Sequence, residues 1–255
     1  MMSTLFLSDL HLCVARAFAV RDFLVFLEGP ARFAERLYIL GDLFEYWIGD
    51  DALLPEYLPV LDGLRVLTQS GVWLGIQPGN HDFLYGESFC AATGAHLLPD
   101  PWVADVYGVR TLLMHGDLLC TKDVAYQRFR AMLRDPAWQA VQLAKPVSER
   151  IALAKTLQGQ SRVHNAEKTE QLLDVHLLEA EARLRSAGAL RLVHGHTHHP
   201  GKHTFWLDGQ EAERIVLPGW FGEGQGGYLE CQEKSCYFKT LSKNYSEMFS
   251  HVLTF

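Results

Sequence analysis

Leu5-Phe6-Leu7-Ser8-Asp9-Leu10-His11 is an apolar run that ends on Asp-x-His. Side chains two positions apart on an extended chain share a face, so this stretch delivers a carboxylate and an imidazole side by side. That pairing suits a metal ion. The pattern recurs in Arg36-Leu37-Tyr38-Ile39-Leu40, which ends in Gly41-Asp42, and in Val72-Trp73-Leu74-Gly75-Ile76, which leads to Gly79-Asn80-His81-Asp82. It recurs again from Arg110 to Met114, before His115-Gly116-Asp117, and in Leu190-Arg191-Leu192-Val193, before His194-Gly195-His196-Thr197-His198. All five apolar runs end in Asp, Asn or His.

Between the first runs, Phe18, Phe23, Leu24 and Leu27 stand at near-helical spacing, and Gly29-Pro30 stops that helix. Leu53 to Thr68 reads as a second helix. Strand, helix, strand, helix, strand with short links predicts an α/β fold with parallel pairing. Ligands in such folds gather beyond the carboxyl ends of the strands, so Asp9, His11, Asp42, Asn80 and His81 are expected to converge. Taken singly, His115 could be a hydrogen-bonded core histidine, and Asp9 or Asp42 could cap a following helix. Those readings leave the repetition at five strand ends unexplained.

At 255 residues and 48% hydrophobic, the chain can bury one large core, or one core with a substantial insertion. No apolar stretch reaches the ~18 residues of a membrane helix, and Met1-Met2-Ser3-Thr4 runs straight into a strand, so a cytosolic protein is expected. Cys13, Cys90, Cys120, Cys231 and Cys236 are scattered without a Cys-x-x-Cys pair and read as reduced packing residues. The net charge of -7 argues against general nucleic-acid binding, yet Thr121 to Lys168 holds nine Lys/Arg against four Asp/Glu. One basic segment on an acidic body suits an anionic ligand or an anionic membrane surface.

That basic segment lies in Thr121 to Arg185, which is rich in Ala, Leu, Gln, Arg, Lys and Glu and is expected to be several helices. Ala125, Phe129, Met132 and Leu133 line one face, and Trp138, Val141, Ile151, Ala154 and Leu157 continue the apolar supply. The reading is an insertion packed over the strand ends, with an ordinary helical layer as the alternative. Strands from Thr204 to Leu207, Arg214 to Leu217, Gly227 to Glu230 and Tyr237 to Thr240 are expected to form an antiparallel second sheet, and the final stretch has helical spacing.

Carboxylate oxygens, one amide oxygen and several imidazoles, without thiolates, suit Mn²⁺, Fe²⁺, Mg²⁺ or Zn²⁺. Seven candidate donors exceed the needs of one ion. Two ions about 3.5 to 4 Å apart would use them, with Asp42 on the middle strand as the shared carboxylate. His194, His199 and His203 flank the cluster and are assigned no metal, and Trp47 and Trp220 read as packing residues.

The ordered blocks Asp9-x-His11, Gly41-Asp42, Gly79-Asn80-His81-Asp82, His115-Gly116-Asp117 and Gly195-His196-x-His198 resemble the calcineurin-like metallophosphoesterase family. Arg36-Leu-Tyr-Ile-Leu-Gly-Asp-Leu-Phe-Glu-Tyr-Trp-Ile-Gly-Asp-Asp51, the stretch from Met114 to Arg130, and Arg214-Ile-Val-Leu217 are similar to the UDP-2,3-diacylglucosamine hydrolase family of the lipid A pathway. The resemblance implies two mixed β-sheets sandwiched between helices, with a helical cap inserted at 121–185, a core at 1–120 and 186–240, and a tail of unassigned role at 241–255. It implies two divalent ions, with Mn²⁺ expected, one held by Asp9, His11, Asp42 and His198 and the other by Asp42, Asn80, His115 and His196.

The implied reaction is hydrolysis of the pyrophosphate of UDP-2,3-diacylglucosamine by activated water, giving UMP and 2,3-diacylglucosamine 1-phosphate. His81 and Asp82 are the implied catalytic pair, His81 toward the phosphoryl oxygens and Asp82 orienting it. Asn80, His81, Asp123, Ser161, Asn165, Lys168 and His196 are the implied substrate contacts. The implied partners are the lipid-linked nucleotide and the cytoplasmic face of the bacterial inner membrane, bound peripherally, with no nucleic acid and no obligate protein partner. Two departures stand out: His81 where the family usually has Arg, and Pro218-Gly219-Trp220 where it tends to have Gly-Asp-Trp. Histidine lacks arginine's fixed fork of donors, which keeps open a different phosphoesterase acting on a nucleotide or phosphate ester. A third reading is a phosphoesterase-fold scaffold without catalysis.

Overall fold

A strand buried on both faces needs a layer on each side, and β1 (Thr4–Leu7) has one on each. The structure, a computed structural model, describes residues 3–166, 175–224, 226–233 and 235–241, without the side chains of 158 and 160–166. β1 pairs parallel with β2 (Arg36–Leu40), β2 with β3 (Trp73–Gln77), and β3 with the short β4 (His96–Leu97). Leu5, Leu7, Leu37, Ile39, Leu74 and Ile76 pack on α1 (Ala17–Glu28) and α2 (Leu58–Gln69), and α3 (Glu87–Thr93) joins the same side through Phe89. Phe6, Tyr38 and Leu40 point the other way, onto a second sheet.

That second sheet runs in the order β5 (Trp102–Val106), β6 (Val109–Met114), β7 (Arg191–His194), β9 (Gln210–Val216) and β8 (Gly201–Leu207). Its inward residues Ala104, Val106, Leu113, Val193 and Ile215 meet Phe6, Tyr38 and Leu40. Its outward residues Leu112, Met114 and Leu192 pack on Ala180 and Leu184 of a helix at Leu177–Ala187. The layers are therefore helices, sheet, sheet, helix, in agreement with the expected architecture. Among the described residues, no helix is long and apolar enough to cross a membrane.

The closing strands correct the expectation of one antiparallel second sheet. The β8–β9 hairpin joins the second sheet, with β9 parallel to β7, whereas β10 (Gly227–Gln232) and β11 (Ser235–Thr240) return to the first, with β10 antiparallel to β1. Alternation along a strand reports which faces are buried and leaves the partner open. The cysteines need a second correction. Cys231 and Cys236 stand opposite each other in the β10–β11 ladder and form a disulfide, while Cys13, Cys90 and Cys120 are not disulfide-bonded.

Between β6 and β7 lie α4 (Val124–Leu133), α5 (Pro136–Leu143) and α6 (Val147–Ala166), followed by α7, the Leu177–Ala187 helix. The Asp135 side chain caps α5, and Pro136 occupies its first turn. Of the face expected to be covered, Leu133 alone is buried, Phe129 is half-buried, and Ala125 and Met132 are exposed. α7, counted with the insertion on sequence grounds, is a layer of the second sheet. Of the expected C-terminal helix at 241–255, Leu241 is buried and the rest lies outside the described residues.

Candidate metal centre

The turns that end β1, β2 and β3 are stitched to one another before any side chain meets a ligand. Leu10 and His11 N–H both donate to the Asp42 carbonyl at 2.9 Å, and Leu12 N–H donates to the Leu43 carbonyl at 2.9 Å. The Asp82 carboxylate, fully buried, accepts from the backbone N–H of Asp42, Leu43, Phe44 and Gly79 and from the Tyr85 hydroxyl. Gly79 and Gly195 stand where no side chain fits: a Cβ would overlap the Asp42 carboxylate at the first and Ser8 and Asp9 at the second.

The chain reverses sharply at each strand end. Asp9, His11, Asp42, His196 and His198 all take positive φ, between 47° and 66°. L-residues there cost roughly 1–2 kcal/mol each, strain that the surrounding hydrogen bonds hold in place. The reversal turns all five side chains toward one centre between the two sheets.

Asp9 Oδ1 lies 3.2 Å from His198 Nε2, and its Oδ2 accepts the His196 N–H at 2.9 Å. Asp42 Oδ2 lies 3.6 Å from both His11 Nε2 and His115 Nε2. Asn80 Oδ1 stands 2.9 Å from His115 Nε2 and 3.1 Å from His196 Nδ1. All seven expected donors thus meet, with Asp42 in the middle. Behind them, His115 Nδ1 is 2.9 Å from the Leu40 carbonyl, which directs Nε2 inward.

The donor set fits divalent ions. Atoms bound at ~2.0–2.2 Å to one ion lie roughly 3–4.4 Å from each other. Asp9, His11 and His198 offer donor atoms within 4.8 Å of one another, as do Asp9, Asp42 and His115. The 3.6 Å gaps at Asp42 exceed a hydrogen bond and match ligands of a common cation. Burial lowers the pKa of His11 well below its ordinary value and that of His196 to about 3, so both rings are neutral with a lone pair available. Burial also raises Asp42 to about 6. At His115 burial opposes the charge, yet Asp42, Asp117 and Asp9 push it up to about 9.

Two groups behind the centre carried no strong signal in the sequence. Arg130 bridges Asp117 and Asp100 at 2.9 Å each, and Asp100 accepts the His115 N–H at 3.2 Å. Burial works against the Asp117 charge, but His115 and Arg130 hold its carboxyl well below the usual range, whereas burial beside Asp117 raises Asp100. Phe221 is half exposed and sets its ring 4.5 Å from that of His198.

Residues 2–200 match the calcineurin-like phosphoesterase family. A UDP-2,3-diacylglucosamine hydrolase of Chromohalobacter salexigens is 51% identical over 86% of this chain and 89% of its own. Proteins of the same name from Aromatoleum aromaticum and Nitrosococcus oceani are 47% and 48% identical, over 86% and 93% of this chain and 89% and 94% of theirs. The chain belongs to the UDP-2,3-diacylglucosamine hydrolase family of calcineurin-like phosphoesterases.

In this hydrolase-family chain the helices between β6 and β7 are tied to the centre by arginines. Arg134 donates to the carbonyls of Pro78 and Gly79 at 2.9 and 3.0 Å, directly before Asn80. Arg150, buried, pairs with Asp51 and donates to the Ile48 carbonyl at 2.6 Å. Together with Arg130, these use three of the nine cationic side chains that the sequence reading offered to an anionic ligand or membrane.

The expected substrate contacts divide. Asn80, His81 and His196 line the centre, while Asp123 caps α4 by accepting the Tyr126 N–H at 3.1 Å. Ser161 and Asn165 continue the backbone of α6, but their side chains and all of Lys168 lie outside the described residues. Asp82 needs correction. It does not touch the His81 ring, because its oxygens are taken by the backbone of the two turns and by Tyr85. The His81 Nδ1 instead lies 3.0 Å from the Glu45 carbonyl. His194 is buried against Arg214, and Trp47 and Trp220 are core residues, as expected of the two tryptophans.

Proposed function

We propose that the protein hydrolyses the pyrophosphate of UDP-2,3-diacylglucosamine, the substrate in the name of its relatives, within lipid A biosynthesis. The observation that carries this reading is the meeting of seven metal donors from both sheets at one centre in a chain of that family. Asp9, His11, Asp42 and His198 would hold one ion and Asp42, Asn80, His115 and His196 the other, with Mn²⁺ as the ion. Bound there, divalent ions polarise phosphoryl oxygens and make water a competent nucleophile near neutral pH. Water adds to the α-phosphorus as the bond to the bridging oxygen breaks, releasing UMP and leaving 2,3-diacylglucosamine 1-phosphate.

The side chains supply orientation and charge. His81, held through Nδ1, directs Nε2 at a phosphoryl oxygen and donates when protonated. Asn80 and His196 flank the same oxygens, and Asp123, Ser161, Asn165 and Lys168 are assigned to the head group. Within the insertion at 121–185, α4 to α6 act as a cap, and the exposed Val124, Met132, Val141 and Leu143 on α4 and α5 supply apolar surface for two acyl chains. A substrate with two fatty chains resides in a bilayer, so the protein works as a cytoplasmic, peripheral protein at the inner-membrane surface, with cap cations such as Lys122 and Arg128 facing anionic lipid.

A second reading, a phosphoesterase for a nucleotide or simple phosphate ester, is favoured by His81 in place of the family's arginine. Offering Mn²⁺-loaded protein UDP-2,3-diacylglucosamine, a UDP-sugar without acyl chains and an aryl phosphate separates the two. Cleavage of the acylated compound alone is the expected result. Cleavage of the aryl phosphate alone supports the second reading, and inactivity with no bound metal leaves a scaffold.

A further inference from the structure

His11 Nδ1 is buried and has no hydrogen-bond partner, although it faces Glu45 Oε2 at 3.5 Å. The other ring nitrogen, Nε2, faces Asp42 in the centre. The same Glu45 presents its main-chain carbonyl to Nδ1 of His81 at 3.0 Å. The His11 and His81 rings stand edge to face, 4.7 Å apart at 82°, so one residue reaches the outer nitrogen of both. Glu45 is itself held in place, its N–H donating to the Leu12 carbonyl at 3.1 Å.

A histidine that binds a metal through one nitrogen needs its other N–H taken by a carboxylate or carbonyl, which fixes both the tautomer and the ring plane. We infer that Glu45 is a positioning residue that sets both rings: its carboxylate takes the Nδ1–H of His11, and its carbonyl takes the Nδ1–H of His81. Each ring then turns Nε2 inward, His11 with a lone pair for the ion and His81 toward the phosphoryl group. At 3.5 Å the Glu45 carboxylate is the acceptor within reach of the buried Nδ1 of His11, and a hydrogen bond between them would satisfy it. This inference rests on His11 being a ligand, as proposed above. Glu45, His11 and His81 also offer donor atoms within 4.8 Å of one another, which would suit a separate ion. With His81 Nδ1 engaged by the Glu45 carbonyl, such an ion would have to take His81 Nε2, and its loss on substitution of Glu45 is one of the outcomes tested below.

The test compares wild type, Glu45→Gln and Glu45→Ala after chelation, by calorimetric titration with Mn²⁺ and by ¹⁵N–¹H NMR of histidine tautomers in the Mg²⁺-loaded protein. Wild type is expected to carry the proton of His11 on Nδ1. Glu45→Ala should weaken one of two ions about 10- to 100-fold and leave the other unchanged. It should disturb the His11 tautomer while His81 keeps Nδ1–H, which the main chain holds, and Gln should restore most of the affinity. In kinetics, Ala should lower kcat at limiting Mn²⁺ and recover with excess ion, with KM for substrate unchanged. Proton placement on Nε2 of His11 in wild type overturns the inference even if the Ala variant fails to fold. Unchanged affinity for both ions in a folded Ala variant overturns it too, as does a third ion lost on substitution. Wild type that binds no divalent ion defeats the hydrolase reading itself, a failure distinct from the others.

Discussion

Asp9 Oδ1 and His198 Nε2 stand 3.2 Å apart although 189 positions separate them along the chain, joining the first ligand-bearing turn to the last. The contact closes the gap between the two sheets, since Asp9 follows β1 and His198 follows β7. Asn80 Oδ1 and His115 Nε2, 2.9 Å apart, bridge the same two sheets a second time.

Asp42 is the donor with the most to lose. Its carboxylate faces His11 and His115 at equal distance and anchors the His81 N–H at 2.9 Å. Asp42→Ala should therefore lower bound metal measurably and reduce hydrolysis by roughly 10³-fold or more, equivalent to about 4 kcal/mol of transition-state stabilisation. Elemental analysis of purified protein beside a UMP-release assay checks both. Full metal content in the variant would remove Asp42 from the centre.

Asp82 is predicted to matter for stability. Replacing it by Ala leaves the N–H groups of Leu43, Phe44 and Gly79 buried without an acceptor, and should cost about 3–5 kcal/mol. Urea unfolding of the chelated proteins measures it. A loss below about 1 kcal/mol with a large fall in kcat would instead return Asp82 to the catalytic role first assigned to it.

Arg130 neutralises two buried carboxylates behind His115. Arg130→Ala removes the ion-pair partner that Asp100 and Asp117 share and should destabilise by about 3–5 kcal/mol. Adding Asp117→Asn to that background should recover a substantial part, because one buried charge is removed. Equal stability of the single and double variants would show that the pair does not repel.

Glu213 supplies a pH test away from the centre. Burial works against its charge, but hydrogen bonds from Lys202 and Arg191 hold its carboxyl below the ordinary value of 4.5. A depressed folded pKa contributes stability that is present above the unfolded value and lost as pH falls through the folded one. Glu213→Gln should therefore be less stable than wild type at neutral pH, and the gap should close as pH drops below about 4.5. Thermal melts from pH 7 to pH 3 read it, and a gap that widens in acid contradicts the assignment.

A calorimetric or fluorescence melt with and without chelator tests the ions as structural ligands. Saturation at ~100 times Kd should stabilise by about 2.7 kcal/mol and raise Tm accordingly. No change in Tm on metal loading would mean that the centre is empty in solution.

Much of the centre was legible because strands and ligands obey local rules. The runs at Leu5, Leu37, Leu74, Leu112 and Leu192 are apolar on successive positions since both faces of each strand are buried, and each donor stands at the end of such a run. Asp82 was misjudged, and Glu45 passed over, for the opposite reason. A carboxylate in a turn looks the same in sequence whether it faces a buried histidine, as Glu45 faces His11, or four backbone N–H groups, as Asp82 does.

By itself the sequence determined the parallel α/β order, the polar residues that end its five apolar runs and the helical segment between the fourth and fifth of those runs, because periodicity and turn residues are written within a few positions. Only the tertiary structure decided that β9 joins β7 while β10 returns to β1, that Cys231 meets Cys236, and that five residues with positive φ turn their side chains to one point. Those outcomes depend on which surfaces pack against which. Packing partners far apart along the chain leave no mark in the local pattern that specifies each element.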